Sequence, residues 1–314
     1  VQGQKDLNAK VIRFIGDAEK RILEDHLRIL RAVRFKKQFN FQYEPKTFQA
    51  LKKHAPLVVD NIANERIGDE LNKIIMLPNA CEAFEDMEDL GILQVLLPEI
   101  QAMKGVAQPM EYHTEGDVWD HTMLALKSLP ETTQMPVKWA VLLHDSGKPE
   151  TFEVKERIRF DHHVEASGRI ARSVLKRLRF SKRTIEEVAW LVEHHMMMVP
   201  LTEMPDSRKR HWFLHPYFLN LMQLFKADAA GTVPTNLSLY EKIYDLYHKH
   251  TKEMPKEPEP LLSGHNVMVI TGIKPGPEVG EIMEQMREKQ LGKELKNKED
   301  AINWLKENAC KDDC

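Results

Sequence analysis

The sequence predicts an all-α protein, and three observations lead there. Apolar residues recur at helical rather than alternating spacing, as in Leu23, Leu27 and Leu30 with charged residues on the other faces. Residues 46–110 read as successive amphipathic helices parted by loops at Pro56, Pro78 and Pro98. An apolar helical run from Val137 to Leu143 leads into His144 and Asp145 and is stopped by Gly147 and Pro149. With 314 residues and 36.5 kDa, the chain has room for two or three helical units rather than one core.

Charge and cysteine usage narrow the setting. The net charge of −3 provides no overall basic field, but its distribution is uneven. Residues 1–60 hold 13 Lys and Arg against 7 Asp and Glu, whereas residues 61–120 hold 3 against 13. That asymmetry suggests a surface for a polyanion near the N-terminal end. The three cysteines, Cys81, Cys310 and Cys314, form no paired framework, so a reducing, cytoplasmic location is expected. No apolar run approaches the length of a membrane span, and no signal peptide is recognisable.

Taken in order, residues 1–20 are short and polar with turn points at Gly3 and Gly16. A helix is predicted from Arg21, with Glu24, Asp25, Arg28, Arg31 and Arg34 on its polar side. A solvated face stapled by Glu24 and Arg28 accounts for that pattern on spacing alone. Glu65 and Arg66, likewise, can be an ordinary pair on a helix surface. The next helix carries His121, and His113 in the loop before it fits a structural or surface role. The His144-Asp145 step lies at a helix C-terminus, where a lone pair of this kind is usually hydrogen-bonded and inert. Its neighbourhood alters the expectation, because seven of the fourteen His lie between 113 and 195 and Asp228 sits in an apolar-to-small stretch. A buried carboxylate there needs a cation or several donors. His121, His144, Asp145 and Asp228 come from three helical segments, and a metal would explain their convergence.

Beyond the dyad, Lys148 can meet a phosphate as a point charge or simply sit solvated at a helix end. Residues 169–183 hold seven basic side chains and no acid, which serves either as a solvated face or as a phosphate contact. His162 and His194 adjoin His163 and His195 and can support them, while Met196 to Met198 fit a core-filling role. Tyr240, Tyr244 and Tyr247 share helical spacing, as packing residues or as stacking partners for bases. A charged, Pro-rich linker follows over 252–260, and Pro277 opens a helix after the turn at Gly272–Gly276. The amides of that helix start, beside Lys274, can hold a backbone phosphate or need no ligand at all.

Two resemblances organise these observations. His121, the His144-Asp145 pair, His163 in Phe-x-x-His, His195 in Leu-Val-x-x-His-Met and Asp228 resemble, in order, the HD superfamily of metal-dependent phosphohydrolases. The resemblance implies one divalent ion on His121, His144, Asp145 and Asp228, with His163 and His195 able to help hold a second. His144, Asp145 and Lys148 would then be the catalytic set. Mixed imidazole and carboxylate ligands suit Mg, Mn, Ni or Fe better than a soft-ligand zinc site.

The stretch from Glu24 to Phe35, preceded by Ile12-Arg-Phe-Ile-Gly-Asp17, is similar to the neck of bacterial class II tRNA nucleotidyltransferases and poly(A) polymerases. Position 26 is His where many members have Pro. This resemblance implies that Asp25 and Arg28 read the base edge of ATP or CTP, with Arg31, Arg34, Glu65 and Arg66 around the nucleotide. One carboxylate and one guanidinium can do this without a template, by accepting from an exocyclic amine and donating to a ring nitrogen or carbonyl. The resemblance implies a neck and body over 1–110, an HD domain over 111–232, a helix and Pro-rich linker over 233–260 and a helical tail over 261–314. The partners implied are tRNA and ATP or CTP, with no membrane.

The family's head carries a Gly-Gly or Gly-Ser step and an Asp-x-Asp pair, and neither adjacent glycines nor Asp-x-Asp occurs here. The expectation is a neck-to-tail portion that needs a nucleotidyltransferase head for transfer. Two alternatives stay open from sequence: a stand-alone metal phosphohydrolase, and an RNA-binding partner of a separate head.

Overall fold

In the computed structural model the described residues are 2–111, 113–253 and 259–309. Most of the Pro-rich linker (254–258), together with Cys310 and Cys314, lies outside them. The expected all-α class holds. The only strands among the described residues are four two-residue segments, paired as β1 (Val11–Ile12) with β2 (Gln42–Tyr43) in parallel and β3 (Glu153–Val154) with β4 (Ile158–Arg159) antiparallel.

Residues 1–196 and 219–237 form one compact unit. It begins with α1 (Gly3–Asn8), α2 (Ala18–Glu24), α3 (Arg28–Phe39) and α4 (Pro45–His54), and continues through α5 (Asn64–Ile75), α6 (Ala80–Asp89), α7 (Leu93–Leu96) and α8 (Pro98–Gln101). Then come α9 (Val118–Ser128), α10 (Met135–Leu143), α11 (Lys148–Thr151), α12 (His163–Arg177) and α13 (Lys182–His194). The helix start of α9 is fixed by a reciprocal cap, in which Asp117 accepts from the Asp120 amide and Asp120 from the Asp117 amide. α5 buries Ile67, Leu71, Ile74 and Ile75, and its Asn72 accepts at 2.8 Å from the indole N–H of fully buried Trp139 on α10. Truncating a Trp of this kind to Ala costs about 3–5 kcal/mol.

The predicted helix from Arg21 is in fact two helices. Asp25 ends α2 in an extended conformation (φ −155°), and its Oδ1 accepts from the Leu27 amide at 3.2 Å before α3 begins at Arg28. A short carboxylate that bonds nearby backbone competes with helix continuation, and spacing alone does not show this. Leu23, expected on the buried stripe, is consequently exposed.

The compact units also differ from the four segments expected. No boundary falls near 110, because α6 packs on α9 and α5 on α10, so the body and the His-rich region share one core.

The second unit comprises 197–218 and 238–314. It contains α14 (Met198–Leu201), α15 (Asp206–Leu214), α17 (Ser238–Glu253), α18 (Gly264–Thr271), α19 (Pro277–Leu291) and α20 (Lys298–Ala309), while α16 (Phe218–Gly231) leads back into the first unit. Val267, Met286, Leu295, Ala301 and Leu305 form its core, and buried Arg210 donates to the Leu291 carbonyl at 2.8 Å. Pro277 occupies the first turn of α19 as expected. Tyr247 packs against Phe213 and Phe218. Among the described residues no helix is long and apolar enough to cross a membrane.

Candidate metal centre and neck groove

Six predicted ligands meet in the first unit. His121 comes from α9, His144 and Asp145 from the end of α10, His163 from the start of α12, His195 from just after α13 and Asp228 from α16. Nε2 of His121 lies 3.0 Å from Asp228 Oδ1 and 3.9 Å from Asp145 Oδ2. Nε2 of His144 lies 3.3 Å from Asp145 Oδ2 and 3.6 Å from Asp228 Oδ1. On its other oxygen, Asp145 Oδ1 lies 3.6 Å from Nε2 of His163 and 3.9 Å from Nε2 of His195, and those two nitrogens are 3.3 Å apart. Asp145 thus stands between two ligand groups.

Local backbone geometry aims the imidazoles. Nδ1 of His144 donates to the Val141 carbonyl at 2.7 Å, Nδ1 of His195 to Val192 at 2.7 Å and Nδ1 of His163 to Phe160 at 2.9 Å. Each bond uses the Nδ1 hydrogen and leaves Nε2 facing the others. Two glycines let the ligand-bearing segments approach. A Cβ on Gly147 would stand 2.6 Å from the His163 carbonyl and the Ser167 amide, and one on Gly231 would stand 2.8 Å from the His121 carbonyl.

The electrostatics suit a cation. Burial alone would lower the His144 pKa, but Asp145 and then Asp228 raise it to about 10. Burial likewise opposes His121, which Asp228 and Glu115 raise. His195 is pushed down to about 4 by burial and by His144, and His163 is lowered mainly by burial. Against their own burial, Asp145 is held well below the usual carboxylate range by His144 and Lys148, and Asp228 by His121 and His144. Nε2 of His144 is buried with no hydrogen-bond partner among the described residues. An orphaned imidazole nitrogen beside two ionised carboxylates fits a divalent ion, since the field that favours a proton there favours a metal more.

Lys148 is no solvated helix-end residue. Its buried side chain places Nζ 2.7 Å from Asp145 Oδ2, donates to Gln108 Oε1 at 2.8 Å and sits 5.2 Å from the centre of the Phe160 ring.

The neck residues are distributed differently. A cavity of about 650 Å³ is lined by Arg13, Arg21, Arg28 and Arg31 together with Phe14, Ile15, Phe35 and Phe39. Arg28 Nη1 donates to Glu24 at 2.7 Å and to the Arg21 carbonyl, while Arg31 is exposed with no ion-pair partner among the described residues. Asp25 is outside the lining and pairs with Arg66 at 3.3 Å, so Arg66 braces the helix break. Arg34 faces α5, bonded to buried Glu70 and to Gln38, and Glu65 is exposed. Of the six predicted nucleotide residues, the structure brings Arg28 and Arg31 to the cavity and leaves Asp25, Arg34, Glu65 and Arg66 off its walls.

Residues 40–104 match a family model described as "Probable RNA and SrmB-binding site of polymerase A", and residues 159–305 match one for tRNA nucleotidyltransferase domain 2. The chain is 34% identical over 304 residues to the A-adding tRNA nucleotidyltransferase of Deinococcus radiodurans, covering 91% of this chain and 68% of that protein. It is 33% identical over 317 residues to the CC-adding tRNA nucleotidyltransferase of Thermus thermophilus, covering 96% and 70%. The chain belongs to the tRNA nucleotidyltransferase family. It spans about two thirds of the length of these relatives. The Bacillus stearothermophilus CCA-adding enzyme, solved in complex with CTP, shares the fold with a TM-score of 0.62 at 21% identity, over 98% of this chain and 67% of that one.

The basic run at 169–183 divides in two. Arg169 pairs with Glu150, Arg172 with Glu193 and Glu186, and Arg177 with Glu99. Lys176, Arg179, Lys182 and Arg183, at the α12–α13 turn, are exposed and have no ion-pair partner among the described residues. That turn packs on α5, where a Cβ on Gly68 would meet the Leu178 carbonyl at 2.5 Å. Sequence reasoning missed Gln108, which holds Lys148, and the phenylalanines of the neck cavity.

Proposed function

We propose that this chain is the nucleotide-selecting and RNA-holding portion of a tRNA nucleotidyltransferase that adds CCA, CC or A to RNA 3′ ends without a template, using ATP or CTP. The observation that carries this is the neck cavity, where arginine donors share walls with aromatic faces. Guanidinium groups there can donate to a base edge while a phenylalanine stacks on it. The paired carboxylates for phosphoryl transfer would come from a nucleotidyltransferase head, joined to the chain or separate from it. The four free cations of the α12–α13 turn, and the α19 start beside Lys274, would hold phosphates of the tRNA. The test is nucleotide incorporation into tRNA by the chain combined with such a head. Arg28→Ala and Asp25→Ala should lose the choice between ATP and CTP, and unchanged selectivity in both variants would overturn the assignment.

The orphaned Nε2 of His144 favours a second activity in the same chain. His121, His144, Asp145 and Asp228 would hold one divalent ion (Mg, Mn or Ni), and Asp145 with His163 and His195 a second. Such an ion supplies Lewis-acid polarisation and water activation at neutral pH. Lys148, already aimed into the centre, would meet an anionic phosphoryl group and could exchange its contact with Asp145 for one with substrate. A phosphoester such as a 2′,3′-cyclic end is the substrate class this supports. Metal-dependent phosphate release that His144→Ala abolishes, with incorporation intact, is the expected result. Equal release by wild type and His144→Ala would remove the hydrolase assignment.

A further inference from the structure

Glu115 stands in the loop before α9, close to the candidate metal centre. Its side chain has no exposure to solvent. Oε1 accepts from Nδ1 of His113 at 2.6 Å and from Nδ1 of His121 at 3.2 Å, and Oε2 accepts from the Val233 amide at 2.8 Å. The other three imidazoles of the centre satisfy Nδ1 with a backbone carbonyl three residues earlier. His121 cannot do the same. It lies inside α9, and the Val118 carbonyl three residues back already accepts from the Thr122 hydroxyl at 2.8 Å. A donor buried without a partner would be costly, so His121 needs an acceptor from outside its helix.

We infer that Glu115 is a positioning residue for the metal centre, holding His121 with Nδ1 protonated and Nε2 turned toward Asp228 and Asp145. Val233 follows α16, the helix that carries Asp228, so the same carboxylate ties the α9 ligand to the segment beyond the α16 ligand. His113, at the other lone pair, keeps that carboxylate in place. A carboxylate behind a ligating imidazole fixes its tautomer and raises its basicity, and losing one typically weakens metal binding about 10–100-fold. This inference rests on the cluster being a metal centre, and the experiment separates the two.

Mn²⁺ binding to the full chain is measured by calorimetry for wild type, Glu115→Gln, His121→Ala and Thr114→Val. The last removes a hydroxyl that donates to the Val233 carbonyl at 2.9 Å and so loosens the same loop without touching His121. Wild type should bind, His121→Ala should not, Glu115→Gln should bind roughly 10–100-fold more weakly, and Thr114→Val should bind like wild type. If wild type fails to bind, the metal centre and the inference fall together. If His121→Ala abolishes binding and Glu115→Gln leaves it unchanged, the centre stands and the inference falls. Equal losses in Glu115→Gln and Thr114→Val also overturn it, because they would mark a structural tie alone. Should Glu115→Gln not fold, nitrogen NMR of the Mg²⁺-loaded wild type decides: a His121 ring protonated at Nδ1 supports the inference, and one protonated at Nε2 overturns it.

Discussion

In the candidate metal centre the polar side chains are largely buried and three of the four imidazoles fix Nδ1 to a backbone carbonyl, whereas in the neck Arg28 is partly exposed and held by a side-chain carboxylate and Arg31 is exposed with no ion-pair partner among the described residues. The two arrangements face different costs. Buried charges are stable only as a set, so removing one strands the rest. Exposed ion pairs contribute little and can be exchanged, so the contact between Arg28 and Glu24 can be given up at small cost. The proposed functions divide along the same line, a fixed cation at the centre and exchangeable ligands at the neck.

The largest effect that would break this contrast is expected at Asp145. Asp145→Ala leaves Lys148 and His144 buried without their shared carboxylate, and loss of one partner from such a set costs about 3–5 kcal/mol. Urea unfolding of the metal-free protein should show that loss, and calorimetry should show no divalent binding. Stability within 1 kcal/mol of wild type by the same unfolding measurement, about the level of an exposed pair, would mean that the centre is no more coupled than the neck. Gly147→Ala comes next, because its Cβ would be pressed against two backbone atoms that cannot move independently. Overpacking of this kind costs about 1–3 kcal/mol, and metal affinity should fall with it as His163 is displaced. A Gly147→Ala protein with unchanged melting temperature and affinity would show that the approach of α12 is not limiting.

The same contrast explains what the sequence could reveal. The six clustered residues were legible because His and Asp are conspicuous in apolar helices and their order is distinctive. Their support was not. Gly147 and Gly231 matter through atoms from distant segments, and Glu115 and Gln108 sit in a loop with no periodicity to mark them. In the neck the residue types were legible but their directions were not. Helical spacing put Asp25, Arg28, Arg31 and Arg34 on one face of one helix, yet the break at Asp25 turns it to Arg66 and the tertiary pairing with Glu70 turns Arg34 to α5. Helix existence follows from local pattern, whereas an arginine's partner depends on what packs beside it.

A smaller effect tests the neck directly. Arg28→Ala should leave folding stability nearly unchanged while reducing ATP/CTP discrimination roughly 10–100-fold, in line with about 1–3 kcal/mol for a good bidentate contact to a base. Melting temperature and competitive incorporation, measured on the same preparation, separate the two. A large drop in stability with selectivity intact would place Arg28 among the structural ion pairs, beside Arg34.

The smallest expected change lies in the basic run, where paired cations and cations with no ion-pair partner among the described residues share one hairpin. Lys176, Arg179, Lys182 and Arg183 can neutralise phosphates without first surrendering a carboxylate, and Arg169 cannot. Lys182 and Arg183 also stand in the first turn of α13, where the helix dipole disfavours cations unless an anion is near. Replacing any one of the four by Gln should weaken tRNA binding modestly and lower the slope of log affinity against log salt by about 1, as expected when one phosphate contact is lost. Arg169→Gln should change neither quantity, because its guanidinium is already neutralised by Glu150. Filter binding of tRNA across a salt series distinguishes them. If Arg169→Gln alters the slope as much as Arg179→Gln, ion pairing does not sort these cations and the whole run acts as one diffuse field.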